Sequence, residues 1–141
     1  HVSITDLVST VNDMERVGDH AMNILELAEF RNEHRLPFSN EAIQELVEMS
    51  SKVMETFDLA VYTFLHWDKP SAQKIVKNEE EIDNMESKLR LNHIKRLSEG
   101  ACDPSSGVIF LDLLTNLERV GDHSFNIASY VLKIDKNYKR L

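Results

Sequence analysis

The amino-acid sequence is poor in residues that interrupt long regular structure. Its 141 residues include only four glycines and three prolines, so it lacks the turn signals that an all-β sandwich or barrel requires. The single cysteine, Cys102, excludes an internal disulfide and gives no sign of a thiolate metal site. No apolar run reaches the ~20 residues needed to span a bilayer, and no signal-peptide pattern is present.

Positive charge is also scarce. The 24 acidic and 16 basic side chains give a formal net charge of −8, which argues against nucleic acid or an anionic membrane as a partner. It also argues against a phosphate pocket built on bulk positive charge. With 42% hydrophobic and 28% charged residues, the chain has the composition of a globular protein. Its length fits one domain of ordinary size.

Apolar residues recur every three or four positions along four long stretches, a period that predicts helices. The predicted helices cover residues 3–30, 39–67, 70–99 and 107–134, with Ser39 as an N-cap and Gly100 as a stop signal. Short connections favour antiparallel neighbours. The predicted fold class is therefore all-α, an antiparallel up-down bundle of four long helices.

An internal repeat relates the first and fourth of these helices. The hexapeptide Glu-Arg-Val-Gly-Asp-His at residues 15–20 returns unchanged at residues 118–123, and Asn-Ile follows at 23–24 and 126–127. Two homologous units are the simplest explanation. Residues 1–36 are then the last helix of a truncated first repeat, and residues 37–141 are a complete second repeat of three helices.

Because its own unit is incomplete, the first helix needs cover for an apolar stripe around Val8, Val11 and Ile24. An exposed apolar patch of this kind usually finds a partner. We expect this helix either to join the other three in a four-helix bundle or to dock against a second copy in a homodimer.

The repeated hexapeptide places two carboxylates on one helical face, since residues four apart lie one turn apart. The third helix carries a pair with the same spacing and could face the fourth. Such oxygen ligands suit iron, manganese, magnesium or calcium, and zinc also remains open. A mid-helix glycine in both copies, Gly18 and Gly121, suggests a close helix approach or metal access. The candidate metal ligands are Glu79, Asp83, Glu118, Asp122, Glu15 and Asp19.

An alternative for these acids is a solvated stripe balanced by neighbouring arginines. Residues that could instead support the ligands or pack beside them are Glu86, Asn23, Asn126, His20 and His123. No nucleophile–base arrangement, glycine-rich phosphate loop or Glu-x-x-His di-iron pair is present, so the sequence does not indicate an enzyme.

The two hexapeptides and the acidic stretch at residues 79–86 resemble the motifs of the PhoU family of phosphate-response proteins. That family is built from two three-helix repeats with Glu/Asp-x-x-x-Asp motifs, which in some members hold iron or other metal clusters on the bundle surface. The resemblance implies that Glu79, Asp83, Glu118 and Asp122 form one complete site. It also implies that Glu15 and Asp19 are half of another.

Residues 93–102 and 107–114 are similar to the PhoU-like domain at the C-terminus of bacterial sodium/phosphate cotransporter family proteins. This similarity implies a regulatory or accessory domain at the cytoplasmic face of the membrane, attached to a transport domain or acting in a phosphate transporter or sensor complex. The start at His1 instead of Met also fits a piece of such a protein. Two alternatives remain open: a stand-alone PhoU-type regulator, and a carboxylate-bridged metal-binding helical protein outside phosphate control.

Overall fold

The computed structural model describes residues 2–134, which fold into four long α-helices joined by short connections. Helix α1 spans Ile4–Glu33, α2 Asn40–His66, α3 Lys69–Ser98 and α4 Pro104–Leu132. The predicted all-α fold class is therefore confirmed. The outer domain limits predicted at His1 and Leu141 lie outside the described residues. Among these residues, no helix combines the length and the hydropathy needed to cross a membrane.

Each helix begins after a residue whose side chain caps the first turn. Four side-chain oxygens accept hydrogen bonds from the backbone N–H three residues later, and they belong to Ser3, Ser39, Asp68 and Asp103. The last of these caps corrects one predicted boundary, because α4 begins at Pro104 and not at residue 107. The missed signal was an N-cap followed by proline at the first helical position. Gly100 ends α3 as predicted, with a φ of +69°.

Helices α2, α3 and α4 enclose the main core. The large apolar side chains that are fully buried there include Met49, Ile75, Ile82, Phe110, Leu114 and Ile127. Helices α2 and α3 are antiparallel and are also joined by two short ion pairs, Arg96–Glu45 at 2.6 Å and Lys52–Glu81 at 2.7 Å. Helices α2, α3 and α4 therefore form a compact three-helix unit in which α4 packs against both other helices.

Helix α1 packs mainly against α4, so within the described residues it lies outside the three-helix unit. The face that meets α4 is largely polar, because Thr10, Asp13 and His20 are buried there beside Val17. Much of the predicted apolar stripe points elsewhere. Val8 and Val11 of that stripe are exposed, together with the neighbouring Ile4, Leu7 and Leu25, whereas Ile24 is partly buried against the core.

Candidate functional site

Three of the predicted metal ligands converge between α3 and α4. One carboxylate oxygen from each of Glu79, Asp83 and Asp122 lies within 4.8 Å of the other two. Glu79 is fully buried, and the other two are half-buried at the surface. Like charges at this separation repel one another, and a cation bound by oxygen ligands would relieve that repulsion.

Gly121 allows this convergence, because the Glu79 carboxylate lies against the backbone of α4. A Cβ atom at residue 121 would be 2.9 Å from Glu79 Oε2, closer than side chains pack. The close approach expected from the repeated glycine is therefore confirmed at Gly121, in the second copy of the hexapeptide. At Gly18, by contrast, a Cβ atom would have nothing within 4 Å in the described part of the chain.

The remaining predicted acids lie in different surroundings. Glu118 lies one turn before Asp122 on α4 and is half-buried, but the three-carboxylate group does not include it. Glu86 accepts a hydrogen bond from Arg90 Nε at 2.6 Å. Glu15 and Asp19 are exposed on α1, on the side that α4 does not cover.

The histidine and asparagine of each repeated motif contribute to the contact between α1 and α4. His123 Nδ1 is 2.8 Å from Asp13 Oδ1, and Asn126 donates to the same oxygen at 3.0 Å. The Tyr130 hydroxyl donates to the other oxygen, Asp13 Oδ2, at 2.5 Å. Asp13 therefore serves as a buried acceptor for three side chains of α4.

The same arrangement recurs with the two helices exchanged. His20 Nδ1 lies 3.1 Å from Asn116 Oδ1, and Asn23 donates to that oxygen at 3.1 Å. Between the two sets, the rings of His20 and His123 stack with centroids 5.5 Å apart. In the register of the hexapeptides, Asp13 and Asn116 are equivalent. The α1–α4 interface is thus an approximate two-fold arrangement of two like helices.

Sequence reasoning missed Asp13, Asn116 and Tyr130. A signal was present for the first two, since each is a polar residue two positions before its hexapeptide. Their roles depend on contacts between residues about a hundred positions apart, which helical periodicity does not address.

Burial and hydrogen bonding shift the pKa of Asp13 in opposite directions. Burial favours the protonated form of Asp13, but the hydrogen bonds from His123, Tyr130 and Asn126 outweigh it and lower the pKa of this carboxyl. Burial and the neighbouring Asp13 carboxylate raise the pKa of Tyr130. At neutral pH the pair is therefore a carboxylate accepting from a protonated phenol.

Comparison with known proteins agrees with the motif resemblance. A family model described as the PhoU domain matches residues 46–131, more than half of the chain. The chain is 32% identical over 138 residues to the phosphate-specific transport system accessory protein PhoU homolog 1 of Thermotoga maritima, covering 96% of this chain and 59% of the relative. It is 23% identical over 126 residues to a PhoU homolog of Clostridium acetobutylicum, covering 89% of this chain and 56% of the relative.

The chain thus spans little more than half the length of these relatives. No solved structure was found to match it. The family match, the identity to the Thermotoga protein and the all-α fold agree, and the chain belongs to the PhoU domain family.

Proposed function

We propose that this chain is part of a PhoU-type accessory protein that regulates phosphate transport. The observation that carries this proposal is the 32% identity to the Thermotoga accessory protein across 96% of the chain. The relatives named above are called accessory proteins of the phosphate-specific transport system. Their names favour a separate regulator over the C-terminal domain of a sodium/phosphate cotransporter, which was the first expectation from sequence.

The partner in this proposal is a phosphate transporter or its sensor, contacted at the cytoplasmic face of the membrane. To test it, the gene is deleted in the source organism and phosphate uptake is measured in phosphate-replete medium, with sulfate uptake as the control. A regulator predicts that phosphate uptake changes severalfold and that sulfate uptake does not. Complete loss of a sodium-dependent uptake activity would instead favour the cotransporter domain, and unchanged uptake would contradict both readings.

We also propose that the acids between α3 and α4 bind a metal ion. Glu79, Asp83 and Asp122 would supply the first ligands, with Glu118 one turn away. The convergence of three carboxylate oxygens from two helices supports this proposal. Oxygen ligands of this kind fit iron, manganese or magnesium, and zinc accepts them as well. The same convergence would suit a metal-binding role outside phosphate control, which the uptake experiment separates from the regulatory role.

The outward face of α1 supports a further part of the proposal, that α1 is the last helix of a preceding repeat. In the register of the hexapeptides, Leu7, Val11 and Gly18 correspond to Phe110, Leu114 and Gly121 of α4. The α1 residues are exposed, whereas their α4 counterparts are buried against the rest of the unit. A helix pair like α2 and α3 would therefore cover this face, and Glu15 and Asp19 would belong to a second acidic site.

Alanine substitutions at the two equivalent glycines test this assignment. Replacing a mid-helix glycine by alanine normally stabilises a helix by ~1 kcal/mol. We expect that gain for Gly18→Ala in the present chain, because a Cβ atom there meets nothing within 4 Å. For Gly121→Ala we expect no gain or a loss, since overpacking against the buried Glu79 carboxylate costs about 1–3 kcal/mol. Urea denaturation measures both free energies of unfolding.

The decisive comparison repeats Gly18→Ala in a longer protein that includes an upstream helix pair. There the gain should disappear, because an acidic side chain would approach residue 18 as Glu79 approaches Gly121. An equal gain in both proteins would show that no such pair packs on α1.

A further inference from the structure

The two ends of the α1–α4 interface are related by the repeat but are filled differently. At one end, called here the Tyr130 end, Tyr130 bonds to Asp13, and Lys133 Nζ pairs with Asp6 at 2.9 Å. At the other end, called here the Leu27 end, the register places Leu27 where Tyr130 stands. It also places Phe30 at the position of Lys133.

The Leu27 end contains a cavity of about 390 Å³ that is open to solvent. Its lining comes from both helices and consists of Asn23, Glu26, Leu27, Phe30, Ile109, Asp112 and Asn116. Ile109 holds the position that Asp6 holds at the Tyr130 end. Apolar residues at the Leu27 end therefore replace the residues that make polar contacts at the Tyr130 end. The Leu27 side chain is also shorter than that of a tyrosine and fills less of the space between the helices.

The lining defines the chemistry that this cavity accepts. Leu27, Phe30 and Ile109 form an apolar surface, and two exposed carboxylates, Glu26 and Asp112, stand beside it on opposite helices. A suitable occupant therefore has an apolar stem and a cationic head. The Tyr130 end provides a precedent within the molecule, since Lys133, the residue that follows α4, pairs there with an acid of α1.

We propose that the Leu27 end is a docking site for an arginine side chain of a protein partner. This inference rests on the proposed function in one respect, because an accessory protein acts through contacts with other proteins. Arginine fits better than lysine, since its planar guanidinium can stack on an aromatic ring while donating to carboxylates. His34 stacks on one face of the Phe30 ring, with centroids 3.9 Å apart, so the guanidinium would use the other face. The chain places guanidinium groups over rings elsewhere, with Arg31 Cζ 4.5 Å from the centre of Phe38. The net charge of −8 favours approach of a basic surface.

The test is a ¹⁵N NMR titration of the chain with capped arginine, N-acetyl-arginine amide. Capped citrulline, which has a similar shape without the charge, is the ligand control. We expect saturable shifts confined to residues 23–30 and 109–116, with a dissociation constant of ~1 mM as befits a single side chain. Capped citrulline should give no saturable shift. Shifts spread over the surface, or equal shifts with citrulline, would overturn the proposal.

Variants locate the site. Leu27→Tyr should abolish the shifts, because it introduces the residue that fills the Tyr130 end. The control Leu91→Tyr, at an exposed position on α3, should leave the shifts unchanged. Glu26→Gln and Asp112→Asn should each weaken binding about two- to fivefold, as expected for an exposed ion pair. Unaltered binding in Leu27→Tyr would contradict the assignment.

A further ligand distinguishes a protein side chain from a free small cation as the occupant of the cavity. n-Butylguanidinium carries the same single charge and an apolar stem without the peptide groups, and we expect it to bind no tighter than capped arginine. Tenfold tighter binding of n-butylguanidinium would replace the protein partner by a small organic cation. None of these measurements depends on phosphate uptake, so the proposed docking site and the proposed regulatory function can be refuted independently.

Discussion

Millimolar Mn²⁺ or Zn²⁺ should raise the melting temperature of the protein by about 8 °C above its value in EDTA. A ligand present at a hundred times its dissociation constant stabilises the folded state by about 2.7 kcal/mol. For a domain of this size, 1 kcal/mol corresponds to about 3 °C. The gain is expected because the cation would offset the repulsion among Glu79, Asp83 and Asp122, whose oxygens lie within 4.8 Å of one another.

Two substitutions identify the ligands. Asp83→Asn and Asp122→Asn each remove one negative charge with little change of shape, and in each variant most of the metal-induced shift should disappear. Glu48→Gln changes an exposed acid on α2 and serves as the matched control. Differential scanning fluorimetry with and without metal measures the shift, and elemental analysis of protein purified without chelator counts bound metal. If all three variants respond like the parent chain, the acids form a solvated stripe and the metal proposal fails.

The second large effect is expected on the free energy of unfolding when Asp13 is substituted. Asp13→Ala should lower the free energy of unfolding by about 2–4 kcal/mol, because it removes the buried acceptor used by His123, Asn126 and Tyr130. Asp13→Asn should cost less, ~1 kcal/mol, since an asparagine oxygen at the equivalent position 116 accepts from His20 and Asn23. Asn12→Ala, at the exposed neighbouring position, should change stability by less than about 0.5 kcal/mol.

The pH dependence provides an independent check on Asp13. Its pKa is lower in the folded state than in the unfolded chain. Its contribution to stability is therefore present at pH values above the unfolded pKa of about 3.9 and is lost as the pH falls through the folded pKa. Urea midpoints should fall less steeply below about pH 4 in Asp13→Asn than in the parent chain. Equal slopes would show that the carboxylate charge contributes nothing to this interface. Equal costs for the alanine and asparagine variants would show instead that an amide oxygen cannot replace the charged acceptor.

Much of the architecture follows from local patterns in the sequence. Helices are stabilised by local backbone bonding, by caps such as Ser39 and by an apolar period. The fold class and most helix limits were therefore predictable without tertiary information. The pairing of Glu79 with Asp83 on one face is equally local, because it depends only on four-residue spacing. The family resemblance rests on the same short motifs.

The candidate site was only partly predictable, because spacing within a helix says nothing about the helix opposite. Periodicity could not show that Asp122 meets Glu79 and Asp83 while Glu118 lies outside that group. It also could not distinguish an approach at Gly121 from open space at Gly18, although the two hexapeptides are identical. The two glycines differ because α3 packs over Gly121, whereas no helix of the described chain packs over Gly18.

Four helices and the faces that carry the acids could be predicted from the sequence, because helix formation and four-residue spacing depend on residues close in the chain. The repeat is itself an identity of two sequence segments. Which face of α1 meets α4 could not be predicted from the sequence and is seen only in the folded protein. The apolar stripe around Val11 is the more hydrophobic face, yet the interface uses the polar face containing Asp13 and His20. Its hydrogen bonds join residues about a hundred positions apart, and their energy depends on geometry that exists only once both helices are in place. Hydrophobicity identifies a surface that needs cover, whereas complementary donors and acceptors determine which helix packs against which.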